Sequence, residues 1–232
     1  MAGTRGPPSP TLRWVEEIEP PAPETRTNRR GRRSRQEILD AAARVMSVRG
    51  YAGTPMSVLV KETGLPKSAF YHHFESKAGL LSAVMEQGAH SFFAAMRDAH
   101  RDPPTEGSPR ELLRWYLRRT GDVMENGEEF LRLLLVLVMS REAAEAPEAL
   151  QTVNAVRDEG RAYMAHMIGS SFASLGEETA DRIARALAPF GMAGYDGAFV
   201  ALQSDDGQPV SAWMDQLADS LAALGEAIAA GR

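Results

Sequence analysis

The chain has 232 residues, 44% of them apolar and 25% charged, with a formal net charge of -5 and no cysteine. That length suits one large domain or a small domain joined to a larger one, and the missing thiols exclude disulfides, thiolate nucleophiles and sulfur-ligated zinc. The longest uninterrupted apolar run, Leu133 to Met139, is far short of the roughly 18 to 20 residues of a membrane helix, so no membrane partner is expected.

The first 33 residues are rich in proline and arginine and hold no apolar stretch of signal-peptide type, which predicts a cytoplasmic protein. With "GPPSP", "EPPAPE" and the charge run "RTNRRGRR", residues 1–33 read as a disordered arm. Charge is unevenly placed. Residues 26–77 carry eleven basic and four acidic side chains, a balance of +7, whereas residues 78–232 carry thirteen and twenty-three, a balance of -10. A basic segment of this kind attracts a polyanion, and an acidic remainder keeps the molecule soluble.

Order is expected from Ser34, where Ser34-Arg35-Gln36-Glu37 has the form of a capping box. Ile38, Ala42, Val45, Met46 and Arg49 follow at helical spacing, and Gly50 ends the helix. Thr54-Pro55 fits an N-cap and first helical position, opening a short helix over Met56 to Thr63. Gly64 turns the chain into a second short helix, Lys67 to Phe74, before Ser76 caps a fourth that runs to about His100. Helices this short do not persist alone, so both must pack on their longer neighbours.

Beyond "RDPPTEGS" the pattern is entirely helical: Pro109 to Asn126, Glu128 to about Ala144, Pro147 to Ser174, Glu177 to about Gln203, and Val210 to Ala230. Trp213, Leu217, Leu221, Leu224 and Ile228 form one predicted stripe, and Ile183, Leu187 and Phe190 another. Pro189 is expected to kink its helix. Gly191, Gly194 and Gly197 suggest a strip bare of side chains for close helix approach. No alternating strand pattern occurs, and the fold class is all-α.

On a helical wheel of the second short helix, Phe70, Phe74 and His73 fall toward the core, while Lys67, Ser68, Tyr71 and His72 point outward. Those outward side chains can reach phosphates or base edges. A short helix, a glycine turn and a second helix with a polar outer face make a helix-turn-helix, whose second helix lies in the major groove. The arginines ahead of it, Arg29, Arg30, Arg32 and Arg33, could reach the minor groove or backbone.

The stretch "ETGLPKSAFYHHFESKAGLL", with Gly64, Phe70-Tyr71, His73-Phe74 and Ser76-Lys77 ahead of Leu80, closely resembles the DNA-binding domain of TetR-family bacterial transcriptional repressors. The resemblance covers residues 34–82. It implies a three-helix DNA-binding domain over 34–82, a larger helical ligand-binding and dimerisation domain over 83–232, and a double-stranded operator as partner. It further implies that Lys67, Ser68, Tyr71 and His72 contact DNA, that Lys77 touches a phosphate, and that His73 bonds backbone or phosphate from a half-buried position. Two departures stand out. Pro55-Met56 replaces the usual Ser/Thr pair and Val58 a usual polar residue, leaving Ser57 as the phosphate donor of that helix, and Ala78 replaces a frequent glutamate.

A metal site on His72-His73 is disfavoured, because adjacent helical residues point about 100° apart and cannot share one ion. No metal or other cofactor is expected, and neither a Gly-x-Ser-x-Gly elbow nor a phosphate-binding glycine loop supports an enzyme. The rival from another class is an all-helical structural or interaction protein without sequence-specific DNA binding, which gives no reason for the outward polar face or the basic segment. In the second half, Phe93, Trp115, Arg119, Met124, Phe130, Tyr163, His166 and Met167 are the candidates for a small-molecule effector site, apolar or aromatic in character. Homodimerisation is expected through the last two helices, at Gly191, Gly194, Gly197, Trp213, Leu217, Leu221 and Leu224.

Overall fold

The computed structural model describes residues 26–140, 147–204 and 207–231. Among them nine α-helices and one short 3-10 turn account for all regular structure. They are α1 (Arg26–Arg49), α2 (Met56–Thr63), α3 (Lys67–His73), α4 (Lys77–Ala99), α5 (Pro109–Asn126), α6 (Glu128–Ser140), α7 (Pro147–Ser171), α8 (Glu177–Gln203) and α9 (Val210–Ala229), with the 3-10 turn at Ala173–Leu175. No helix of the described residues is long and apolar enough to cross a membrane. The end expected for α6 near Ala144 lies outside the described residues.

Helix α7 ends at Ser171, short of the expected Ser174, and a 3-10 turn follows it; two boundaries near the start of the chain differ as well. Helix α1 begins at Arg26, eight residues before Ser34, so Ser34 is an interior residue and its hydroxyl donates to the Gly31 carbonyl at 3.0 Å instead of capping a helix start. The part of the expected arm from residue 26 onward is therefore helical, and residues 1–25 lie outside the described residues. Helix α2 begins at Met56, with Pro55 as its extended N-cap residue. Thr54 is buried one residue further out, its hydroxyl donating to the Gly50 carbonyl at 2.7 Å.

The described residues divide into two compact units. The first holds the described chain up to Phe93 together with the segment from Gly127 to Val156. Its core joins Ile38, Leu39, Ala42 and Met46 of α1 to Leu59 of α2, Phe70 of α3, and Leu80, Leu81 and Met85 of α4, all nearly inaccessible to water. These residues recur every three or four positions along their helices, which is how short amphipathic segments gain the burial they need to stay folded. Helix α6 packs along α1. Phe130 lies against Gly88, where an added Cβ would run into its ring.

The second unit holds Ala94–Asn126 and the chain from Arg157 onward. Here α5 and α8 pack on α9. Glycines make the close approaches. A Cβ on Gly121 would meet Met214 and Val210 at 2.9 Å, and one on Gly225 would overlap the Phe172 ring. A ladder of ion pairs runs between α5 and α9: Arg110 and Arg114 hold Asp219, and Arg118 holds Asp215 through two hydrogen bonds of 2.7 and 2.6 Å.

The three glycines of α8 do not form one strip, because a three-residue step turns the helix by about -60° each time. Gly191 faces Met164 on α7, Gly194 faces Leu217 on α9, and Gly197 meets nothing within 4 Å. The α9 stripe is likewise divided. Leu217 and Leu221 are buried within the protomer, Trp213 is half-buried, and Leu224 is exposed. On α8, besides Pro189, the exposed apolar residues are Ala186, Phe190, Ala193, Gly197 and Val200, separated by four, three, four and three positions.

Candidate nucleic-acid interface and ligand cavity

Gly64 makes the turn between α2 and α3. Its φ of 67° is left-handed, a conformation that costs a β-carbon-bearing residue about 1 to 2 kcal/mol. Its N–H closes α2 on the Val60 carbonyl, and the Thr63 hydroxyl receives the next free amide, that of Leu65. Pro66 then leads into α3, with Phe70 (1% exposed) and Phe74 (8%) driven into the core as its two anchors.

Fixing those two rings fixes the opposite face. Lys67, Ser68, Tyr71 and His72 are all exposed, and Tyr71 is 52% exposed although it is aromatic. The Lys67 ammonium lies 5.6 Å from the Tyr71 ring centroid. Ser57 of α2 is exposed as well. Arg29, Arg30, Arg32 and Arg33 sit exposed on the first turns of α1, with Arg33 bonded to Glu37 at 3.1 Å. Lys77 starts α4 half-buried, donating to the Tyr51 carbonyl with its ammonium 4.1 Å from the Tyr51 ring. Ser76 caps α4 through the Gly79 amide at 2.9 Å, as expected of it.

His73 occupies a different place from its neighbours. It is half-buried, and its Nε2 lies 2.6 Å from the Ser34 hydroxyl oxygen. Because that hydroxyl gives its proton to the Gly31 carbonyl, Nε2 carries the proton and donates. Burial, then the adjacent His72, then Arg35 lower the His73 pKa, so the ring is neutral at pH 7. It thereby ties the end of α3 to the basic first turns of α1. The partner residue, 39 positions away, is not visible in a local pattern.

In the second unit a polar node lies inside the core. His100 is 9% exposed. Its Nε2 donates to the Tyr116 carbonyl at 3.0 Å, which leaves Nδ1 to accept the Tyr163 hydroxyl proton at 3.1 Å. Burial is the largest cause that lowers the His100 pKa to about 4, with Arg119 and His166 adding to it. Burial also pushes Tyr163 up to about 12, so both groups are neutral and act as a fixed donor and acceptor. Trp115 stands 5.8 Å from the His100 ring, and the Arg119 guanidinium covers the Trp115 ring at 4.1 Å.

Five of the eight expected effector residues, Trp115, Arg119, Tyr163, His166 and Met167, thus gather around His100, the last through the Thr120 hydroxyl that also touches His100. Phe93 and Phe130 belong to the other unit, where Phe130 pairs with Phe92. Met124 is fully buried in the second unit. His100 itself was not among the expected residues. Its helix-end position gave no periodic signal, and its partners come from 16 and 63 residues away.

Beside this node, α7 and α8 enclose a partly open cleft of about 720 Å³. Its floor is Ala162, Ala165, Gly169, Ala180 and Ala184, and its polar groups are His166, Ser170, Glu177, Asp181 and Arg185. His166 borders the cleft and also meets Tyr163, its ring centroid 6.4 Å away. No group of three metal-ligating side chains occurs among the described residues.

The helix-turn-helix geometry has counterparts among known proteins. Residues 38–84 match the family model of bacterial regulatory proteins, tetR family. Over these residues the chain is similar to the DNA-binding segment of that family. It is 27% identical over 120 residues to an uncharacterised HTH-type transcriptional regulator, YxaF of Bacillus subtilis, covering 52% of this chain and 61% of that one. It is 31% identical over 112 residues to the transcriptional activator FasR of Mycolicibacterium smegmatis, covering 46% and 50%. The chain therefore spans between half and three fifths of the length of these two relatives. The fold is shared with a transcriptional regulator from Saccharomonospora viridis solved in complex with choline, at a TM-score of 0.62 and 19% identity, over 82% of this chain and 95% of that one. The family is one of transcriptional regulators, and the all-α architecture agrees with it.

Proposed function

We propose that the protein is a homodimeric, ligand-responsive repressor that binds a near-palindromic DNA operator through α3. The observation that carries this is the division of α3 into a buried face, Phe70 and Phe74, and an exposed face, Lys67, Ser68, Tyr71 and His72. An aromatic residue left half in water beside a lysine on a short helix has no folding purpose. Both side chains suit base edges and phosphates of a major groove. Ser57, Lys77 and the α1 arginines would add backbone contacts around it, and His73 would hold α3 against α1 rather than touch DNA.

Dimerisation is assigned to the apolar face of α8, Phe190, Ala193, Gly197 and Val200, together with Leu224 of α9. Their alternation of four and three is the spacing by which two helices interdigitate. On the operator, the two copies of α3 would lie about one duplex turn apart, roughly 34 to 36 Å. Effector binding in the second unit would act through α4, which supplies residues to both units. A ligand that prefers the released state a hundredfold shifts the equilibrium by about 2.7 kcal/mol per site.

The reading is tested by selecting genomic duplex fragments with the purified full chain and sequencing those retained. Recovery of a short inverted repeat is expected. Retention without sequence preference would favour the structural or interaction protein instead.

A further inference from the structure

Helix α1 runs eight residues ahead of Ser34, about 12 Å at 1.5 Å per residue. At about 100° per residue, Arg29, Arg30 and Arg33 fall on the side of this helix opposite Ile38, Leu39, Ala42 and Met46, and all three are exposed. Gly31 and Ser34 fall on the core side. Ser34 fastens the extension: its hydroxyl oxygen lies 2.6 Å from His73 Nε2, and at the next residue the Arg35 guanidinium lies 5.2 Å from the Phe74 ring centroid. The basic turns therefore leave the first unit beside the end of α3.

Ahead of Ser34 the helix is weakly supported. A Cβ placed on Gly31 would meet nothing within 4 Å, so no neighbour packs there. No acidic residue stands in the first turn to offset the helix dipole. Arg33 is bonded to Glu37, whereas neither Arg29 nor Arg30 has a carboxylate partner among the described residues. Arg29 with Arg33, and Arg30 with Arg33, are like-charged pairs at helical contact spacing, which oppose helix formation. Glycine is the poorest helix former after proline. What these turns lack is negative charge along their exposed side.

We propose that the first turns of α1 engage the operator as a helix, with Arg29, Arg30 and Arg33 laid along the sugar-phosphate backbone, and that Gly31 couples the folding of these turns to DNA binding. A helix with its side chains is about 10 to 12 Å across and the minor groove about 6 Å wide, so a helical extension does not enter that groove. Its partners are phosphate oxygens, which guanidinium groups match in charge and hydrogen-bond geometry. The inference rests on the operator reading above and deepens it: α3 selects sequence, and the start of α1 adds affinity without selecting.

The test uses Gly31→Ala and Gly31→Pro in the full chain. Both keep every arginine, so they alter backbone preference and leave charge unchanged. Alanine favours the helix and has room there. Proline removes a helical N–H and crowds the preceding turn, but it retains the carbonyl that accepts from Ser34. Anisotropy across a salt series measures affinity for the selected operator and for a random-sequence duplex of equal length, and thermal melts check the fold. Gly31→Ala should bind both duplexes more tightly, by up to about fivefold per copy. Gly31→Pro should bind both more weakly, approaching the variant that combines Arg29→Ala with Arg30→Ala, and with a flatter salt dependence. Exchanging A·T for G·C pairs outside the half-sites should change affinity by less than about twofold, since phosphates carry no sequence. Wild-type affinity in Gly31→Pro, weaker binding by Gly31→Ala, or an A·T preference that the double arginine variant abolishes would overturn the inference in favour of an extended arm. Should proline unsettle the fold, the alanine variant and the flank exchange decide. The random duplex separates the two claims: if no operator is recovered, the operator reading fails, while the order of the two Gly31 variants on random DNA still decides whether α1 binds as a helix.

Discussion

Phe70 and Tyr71 are adjacent, similar in size and opposite in placement, so truncating each should break a different property. Phe70 is 1% exposed, in the core formed with α1, α2 and α4. Its replacement by alanine should cost about 3 to 5 kcal/mol through lost burial and the cavity left behind, enough to unfold much of the first unit in a protein of ordinary stability. Tyr71 is 52% exposed, and the Lys67 ammonium lies 5.6 Å from its ring. Tyr71→Ala should change stability by no more than about 0.5 kcal/mol. A direct base contact is worth about 1 to 3 kcal/mol. Two copies per dimer then give a loss of about 2 to 6 kcal/mol, or roughly thirty-fold to twenty-thousand-fold in operator affinity. Urea melts followed by circular dichroism and fluorescence anisotropy on the selected duplex measure both quantities. If Tyr71→Ala destabilised the fold as much as Phe70→Ala, or left operator affinity intact, the two-faced description of α3 would be wrong.

The His100 node predicts acid sensitivity. With a folded pKa of about 4 against an ordinary value of 6.5, the folded state excludes a proton that the unfolded chain accepts. Stability is then complete above pH 6.5 and declines as the pH falls toward 4, by about 1 kcal/mol between pH 7.5 and 5.5; thermal melts of the wild type and His100→Gln should show the slope reduced in the variant. The α8 face predicts that Phe190→Asp yields monomers by light scattering without loss of helicity, since Phe190 is 47% exposed in the protomer; an intact dimer would move the interface elsewhere. A charged residue at Gly194 should instead destabilise the protomer, because its Cβ would meet Leu217 at 2.5 Å. Replacing Arg29, Arg30, Arg32 and Arg33 with alanine should flatten the salt dependence of DNA binding by about 0.9 for each phosphate no longer neutralised, and an unchanged slope would show that these turns of α1 stand clear of the duplex.

Helix number and the face of α3 were legible because both follow from local spacing. Phe70 and Phe74 are four residues apart, and Gly64 marks a conformation that few other residues adopt. The start of α1 was not legible, since a run of arginines with no core-facing residue looks unstructured by composition, yet it continues a helix whose later turns are buried at Ile38, Leu39 and Ala42. The glycines of α8 misled for a geometric reason: equal spacing of three suggests alignment, while helical rotation sends Gly191 and Gly194 to different partners. Aromatic and methionine content pointed to a cavity region but could not sort Phe93 and Phe130 from Trp115 and Tyr163, because the unit to which each belongs is set by tertiary contact alone. His100 escaped notice for the same reason, its bonding partners being remote in the chain.

The central claim is that two copies of α3 enter successive major grooves on one side of a duplex. Inserting five base pairs between the half-sites of the recovered operator turns one half-site by about half a helical turn. Anisotropy titration should show a loss of at least a hundredfold in affinity for that duplex, with much of it restored by an insertion of ten. Equal binding to all three duplexes would contradict the account.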